Sequence, residues 1–197
     1  MTDQPILQVQ EVTKTFGGII ALNRVSFEVG EGEILGIIGP NGSGKTTLIK
    51  CILGMVLPDS GNSLLHNQSV LKKWAYRNDI NYLPQIANFP ANLTVKELLA
   101  MVKNLRPKPA SEERLIDVFG LQSFLDKKLG YLSGGTKQKV NLVLTFMFDS
   151  KLFILDEPTN GLDPVSLIRL KGLIAEEKKK GKTILITTHI MSLVEEI

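Results

Sequence analysis

Eight consecutive residues, Gly39-Pro40-Asn41-Gly42-Ser43-Gly44-Lys45-Thr46, match the pattern G-x-x-x-x-G-K-[ST] at every fixed position. The chemistry this pattern serves is a grip on a chain of phosphates. Gly39, Gly42 and Gly44 let the backbone turn its N–H groups inward around phosphate oxygens. Lys45 brings an ammonium to the β and γ phosphates, and Thr46 can put a hydroxyl on Mg2+. Thr47 belongs to the same phosphate-binding set. A helix starting at Lys45 would add the positive partial charge of its N-terminus.

A second group of residues complements the first. Leu152-Phe153-Ile154-Leu155 is an apolar run that ends in two carboxylates, Asp156 and Glu157. In parallel α/β sheets, ligands sit at the carboxyl ends of the strands. Asp156 is therefore placed to hold Mg2+, directly or through water. Glu157, one residue on, can orient or deprotonate an attacking water.

Such groups need a sheet with helices around it, and the rest of the sequence is patterned for one. Apolar stretches alternate with helical patterns, which implies an α/β fold with a largely parallel sheet. Ile6–Val12 and Val25–Val29 read as strands of an antiparallel N-terminal part, punctuated by Gly17-Gly18 and Glu31-Gly32. Ile34–Ile38 reads as a buried strand before the phosphate loop, followed by a helix over Lys45–Leu53. The middle of the chain is mainly helical, with helices expected over Thr94–Lys103, Ser111–Phe119 and Ser133–Phe148. Leu152–Leu155 and Thr183–Thr187 are strand-like. The helix between them has Asp163 as N-cap, Pro164 at its first position, Lys178–Lys180 in its last turn and Gly181 at C′. One more helix is expected up to Ile197.

Composition narrows the class. The 197 residues are 43% hydrophobic and 22% charged, which fits one globular domain. A net charge of +3, spread along the chain, gives no argument for nucleic-acid binding. The one cysteine, Cys51, excludes an internal disulfide and reads as a buried helix residue. No run reaches the roughly 18 apolar residues of a membrane span, since Leu142–Leu155 is broken by Asp149 and Lys151. Met1–Leu7 lacks a signal-peptide pattern. The expected location is the cytoplasm, with any membrane work done through a partner.

Leu132-Ser133-Gly134-Gly135-Thr136-Lys137-Gln138-Lys139 resembles the LSGGQ signature of ABC ATPases. Other motifs agree in order and spacing from about residue 6 to 197. Gln85 in Leu83-Pro84-Gln85 resembles the Q-loop, and Asn160-Gly161-Leu162-Asp163 the D-loop. His189 after Thr187-Thr188 resembles the switch histidine. Phe16 in Thr15-Phe16-Gly17-Gly18 resembles the aromatic that stacks on adenine, although taken alone it also suits a core position. Asp163 caps its helix whether or not it reaches another subunit.

The resemblance implies a P-loop NTPase core with a mostly parallel sheet, an N-terminal antiparallel β-subdomain and a helical subdomain inserted over about 86–148. It also implies ATP and Mg2+ as cofactors. Lys45, Glu157, His189 and Gln85 would form the reacting site, and Thr46, Asp156 and Gln85 would hold the metal. Two domains would pair head to tail, so that Ser133, Gly134 and Gly135 of one chain face the phosphate loop of the other. The pair would drive an integral-membrane permease from the cytoplasmic face. Thr136 stands where the signature usually has Gln, and Lys139 where Arg is common. The family's domains usually run further past His189, so a truncated C-terminal end is expected.

The stretch between Lys45 and Ser133 holds no heptad run and no cysteine pair, unlike members that act in DNA repair or chromosome structure. Translation factors of the family usually carry two cassettes, and this chain has one. Glu157 and His189 argue against a module that has lost hydrolysis. Ser133–Val140 and Asp156–Pro164 resemble single-domain ATPases of ABC-2-type exporters, among them those serving copper-site maturation of nitrous-oxide reductase.

Overall fold

The computed structural model describes residues 5–106 and 108–190. In chain order these form β1 (Leu7–Phe16), β2 (Ile19–Val29), β3 (Ile34–Ile38), α1 (Lys45–Ile52), β4 (Ser60–Leu65), β5 (Gln68–Ser69), β6 (Ile80–Leu83), α2 (Val95–Leu105), α3 (Glu112–Phe119), α4 (Gly134–Phe146), β7 (Leu152–Asp156), α5 (Pro164–Lys179) and β8 (Thr183–Thr188). The strands build two sheets. One is antiparallel with the order β2-β1-β4-β5, and the other has the order β3-β8-β7-β6 with parallel pairing throughout.

The parallel sheet is covered on both faces, and the strand sequences show why. β7 and β8 are buried at every residue, as expected of strands that read as unbroken apolar runs. Successive side chains point to opposite faces of a strand. Leu152 and Ile154 join a core with Leu7, Val9, Ile49 and Ile52, beneath α1 and the antiparallel sheet. Phe153 and Leu155 join the other core, with Leu98, Phe119, Val143 and Leu173 from α2–α5. The sheet is thus the wall between two hydrophobic clusters.

Local signals set the helix ends. Thr94 and Glu97 form a capping box: Thr94 N–H donates to Glu97 Oε2 at 2.8 Å, and Glu97 N–H donates to Thr94 Oγ1 at 3.2 Å. Asp163 caps α5 by accepting from Ser166 N–H at 2.9 Å, and Gly181 closes that helix at φ +76°. β1 and β2 run further toward each other than the sequence pattern implies, meeting at Gly17-Gly18, where both residues have positive φ. β4, β5 and β6 carry no pattern that marks them: Ser60-Gly61-Asn62-Ser63 is too polar to read as a strand, and β6 has four residues. They are strands because neighbouring strands supply the hydrogen-bond partners. The helix expected at the end of the chain lies outside the described residues. Among the described residues no helix is long and apolar enough to cross a membrane.

The join between α4 and the parallel sheet rests on an aromatic pair. The Phe146 and Phe153 rings are stacked with centroids 5.2 Å apart, and Phe153 is fully buried. Phe153→Ala should lower the unfolding free energy by about 3–5 kcal/mol in urea titration, the range for deleting a buried aromatic ring. A loss below about 1 kcal/mol would show that the surroundings collapse freely onto the site.

Candidate functional site

The phosphate loop leaves β3 at its carboxyl end and feeds α1, so its N–H groups gather at a helix N-terminus. Gly44 sits at φ +92°, and a Cβ there would come within 2.3 Å of the Ala21 carbonyl oxygen. Both facts exclude any other residue. Lys45 Nζ donates to the Gly39 and Pro40 carbonyls at 2.7 and 3.1 Å. Ala21, Asn41, Gly42, Ser43, Gly44, Lys45, Thr46, Thr47, Gln85 and Glu157 line one open cleft of about 270 Å3.

β7 delivers Glu157 to this cleft and places Asp156 behind Thr46. Asp156 is fully buried, and its oxygens are divided: Thr46 Oγ1 donates to Oδ2 at 2.8 Å and Thr187 Oγ1 donates to Oδ1 at 2.6 Å. The charge of Asp156 also acts on Tyr82 in β6. Burial first, and then that charge, push the Tyr82 phenol up to about 12.

Glu157 is 2% exposed and lies at φ +47°, in the left-handed region. A non-glycine residue there costs about 1–3 kcal/mol. Its N–H is held by the Thr187 carbonyl at 3.0 Å and the Thr187 hydroxyl at 3.2 Å. His189 Nδ1–H donates to Oε2 at 2.8 Å. The other oxygen, Oε1, lies 3.2 Å from Lys45 Nζ yet receives no hydrogen bond from any described residue. Glu157 therefore has an ammonium beside one oxygen, a hydrogen-bonded imidazole on the other, and lone pairs free on Oε1.

Hard oxygen donors meet where a cation would be needed. The Thr46 hydroxyl, in the cleft that Gln85 also lines, donates at 2.8 Å to the fully buried Asp156 carboxylate behind it. A hydroxyl, a carboxylate and an amide oxygen suit Mg2+, which takes few protein ligands and keeps water or phosphate oxygens for the rest.

Ser133, Gly134 and Gly135 are not among the residues lining this cleft. Ser133 caps α4, accepting from Thr136 N–H at 3.2 Å. A Cβ on Gly134 would meet open space, whereas one on Gly135 would lie 2.8 Å from the Gly161 carbonyl oxygen. The first glycine leaves the helix N-terminus bare, and the second lets it pack on the Asn160–Asp163 segment. Asp163 is engaged within its own chain, by Lys139 at 2.7 Å and by Ser166. The hydrogen bond from Lys139, followed by those from Ser166, holds the Asp163 carboxyl well below the usual carboxylate range. Phe16 is a surface residue at 49% exposure, beside exposed Ile19 and Ile20, with Lys14 Nζ 5.3 Å from its ring centroid.

Three residues in these contacts carry no role in the sequence reading. Thr187 touches both acids. Gln138 and Asn141, buried on one face of α4, donate to the Pro158 carbonyl at 3.4 Å and the Pro84 carbonyl at 3.1 Å. The available signal was their polarity: a threonine in an apolar strand, and two buried amides three residues apart on the helix side that also carries Leu142 and Thr145.

Comparison with known proteins agrees with the geometry. A family model described as ABC transporter matches residues 22–160. Nod factor export ATP-binding protein I of Burkholderia orbicola (strain AU 1054) is 36% identical over 201 residues, covering 97% of this chain and 65% of that protein. The chain thus spans a little under two thirds of that curated relative. A solved ATP-binding subunit of an ABC transporter superposes with a TM-score of 0.86 at 32% identity, covering 96% of this chain and 82% of that one. An ATP-binding cassette solved as a dimer in a post-hydrolysis state, bound to ADP and Pi, superposes with a TM-score of 0.85 at 25% identity, covering 96% and 90%. The family match begins in the hairpin flanking the phosphate loop and runs past the acidic pair, and the superpositions extend it to nearly the whole chain: this protein belongs to the ABC transporter family, as one of its ATP-binding domains.

Proposed function

We propose that this chain binds ATP with Mg2+, hydrolyses it to ADP and phosphate, and works as half of a head-to-tail dimer that powers a separate membrane permease in export. The observation that carries the reading is the arrangement around Glu157. The phosphate-loop ammonium lies 3.2 Å from one carboxylate oxygen and the His189 imidazole 2.8 Å from the other. A base, a phosphate-binding cation and a second proton donor thus meet beside a phosphate cradle.

The chemistry follows from these positions. Oε1 of Glu157, free of hydrogen bonds from the described residues, is the acceptor for a proton of the attacking water. Lys45 and His189 stabilise charge on the γ-phosphoryl oxygens as the bond to the leaving ADP breaks. Thr46, Asp156 and Gln85 would hold Mg2+, which would neutralise charge on the phosphates. Phe16, with Ile19 and Ile20, offers an exposed apolar surface on which adenine can stack.

Three observations support the shared site and the partner. The bare start of α4 at Gly134 lies outside the cleft of its own chain, so its helix dipole is available to the γ-phosphate held by a second chain. One superposing cassette was solved as a dimer. A groove of about 300 Å3, lined by Leu53, Met55, Val102, Arg106, Leu144 and Phe148, runs between the sheet edge at β6 and helices α2 and α4. We read residues 86–148 as the inserted helical subdomain and this groove as the docking place of the permease at the cytoplasmic face. Export follows the role of the Nod factor relative, an export ATP-binding protein. Neither the site nor these relatives supports the link to copper-site maturation, which forms no part of the proposal.

Lys45→Ala should abolish tight ATP binding in isothermal titration, because the phosphates lose their cation while the cradle remains. Ordinary micromolar affinity in that variant would refute the site. Glu157→Gln should keep ATP binding, slow hydrolysis by about 10²-fold or more, and run as a dimer in size-exclusion chromatography with ATP. An active, monomeric Glu157→Gln protein would count against the base assignment. Lys45→Ala and Ser133→Arg chains, each inactive alone, should on mixing recover up to about a quarter of wild-type hydrolysis, less if the two sites are coupled. Where no activity returns, cysteines placed at Ser43 and Gly134 should cross-link between chains only with ATP; absence of that cross-link would rule out the shared site.

A further inference from the structure

β7 and β8 pair in parallel register with Asp156 opposite Thr187. The Thr187 side chain is fully buried, and its single hydroxyl makes two contacts of opposite sense. The O–H donates to Asp156 Oδ1 at 2.6 Å, and the oxygen accepts from Glu157 N–H at 3.2 Å. One hydroxyl proton and one lone pair thus address two adjacent acids that the site needs in different attitudes.

We infer that Thr187 is a positioning residue for both acids, and that its hydroxyl sets the metal-facing oxygen of Asp156. The inference rests on the ATPase reading above. Among the described residues, no donor besides Thr187 reaches Asp156 Oδ1. Pinning that oxygen turns the other one, Oδ2, toward Thr46 at the mouth of α1. Without the hydroxyl, the carboxylate is free to rotate about its last bond, and Oδ1 is left buried without a partner, which is costly for a charged group. The two acids are not equally dependent. Glu157 N–H keeps its bond to the Thr187 carbonyl at 3.0 Å whatever side chain stands at 187. The turn at Glu157 therefore survives substitution, and the larger effect falls on Asp156. Thr188, next along, faces away from both: its Oγ1 accepts from Ile190 N–H at 3.0 Å.

The test compares wild type, Thr187→Val and Thr187→Ser. Valine keeps shape and removes the hydroxyl; serine keeps the hydroxyl and removes a methyl. The readout is binding of the non-hydrolysable analogue AMP-PNP by isothermal titration, with Mn2+ and with EDTA, alongside steady-state hydrolysis. In Thr187→Val the gain in affinity conferred by Mn2+ should shrink about tenfold or more, the loss of one hydrogen bond to a charged group. The affinity in EDTA should stay within about twofold, because Lys45 and the phosphate loop are intact. Hydrolysis should fall with the metal gain, and Thr187→Ser should restore both. If Thr187→Val does not fold, Thr187→Ala takes its place in the same comparison. An unchanged Mn2+ gain in the hydroxyl-free variant overturns the inference, as does a serine variant that fails as badly as the valine one. A wild type that binds no AMP-PNP overturns the ATPase reading itself, a different result from a wild type that binds and a variant that matches it.

Discussion

Parallel pairing of β7 with β8 is the constraint on which the site depends. It aligns Leu152 with Thr183 at one end and Asp156 with Thr187 at the other. Because β8 also pairs with β3, Ile38 lies beside Thr188, and the phosphate loop leaves the sheet at the level where the acids emerge. A shift by one residue would turn every side chain of β7 to the opposite face. Phe153 would then meet the core under α1, and Asp156 would turn away from Thr46. The apolar burial of the two strands and the placement of the two acids are therefore one requirement.

That placement concentrates charge where water is scarce. Lys45, Asp156 and Glu157 are all buried. Isolated ions in such surroundings are strongly disfavoured, so each must be compensated in place. Lys45 faces Glu157 and two backbone carbonyls. Asp156 takes hydroxyls on both oxygens, and Glu157 takes the His189 imidazole. The strained backbone of Glu157 belongs to the same arrangement. A positive φ on a glutamate persists only when its surroundings over-determine it, and the carbonyl and hydroxyl of Thr187 do so from the neighbouring strand.

α4 ties the distant parts of the site together. Its N-terminus packs on Gly161, Lys139 reaches Asp163, and the buried amides of Gln138 and Asn141 hold the backbones at Pro158 and Pro84. Pro158 follows Glu157 directly, and Pro84 precedes Gln85. A helix whose exposed end carries Ser133 and Gly134 is thus anchored to the loops that follow β6 and β7. Buried polar groups of this kind are costly when unpaired, so the contacts favour one placement of α4 over sliding alternatives.

The phosphate loop, the acidic strand end and the cap at Asp163 were all legible in the sequence. Each is local: a glycine that needs a positive φ, or a side chain bonding an N–H three residues on, is specified within a single turn. The alternation of apolar strands with helices revealed the α/β class for the same reason, since period and length are properties of short segments. Tertiary structure decided the rest. β4 and β6 have no sequence pattern of their own and become strands because β1 and β7 offer ladders to pair with. Phe16 could suit a core or a surface, and only the folded hairpin exposes it. Thr187 reads as an ordinary strand residue until β8 lies beside β7 and brings its hydroxyl between two acids some thirty residues away. Hydrogen bonds of that span depend on register and layer packing, which no local run of residues specifies.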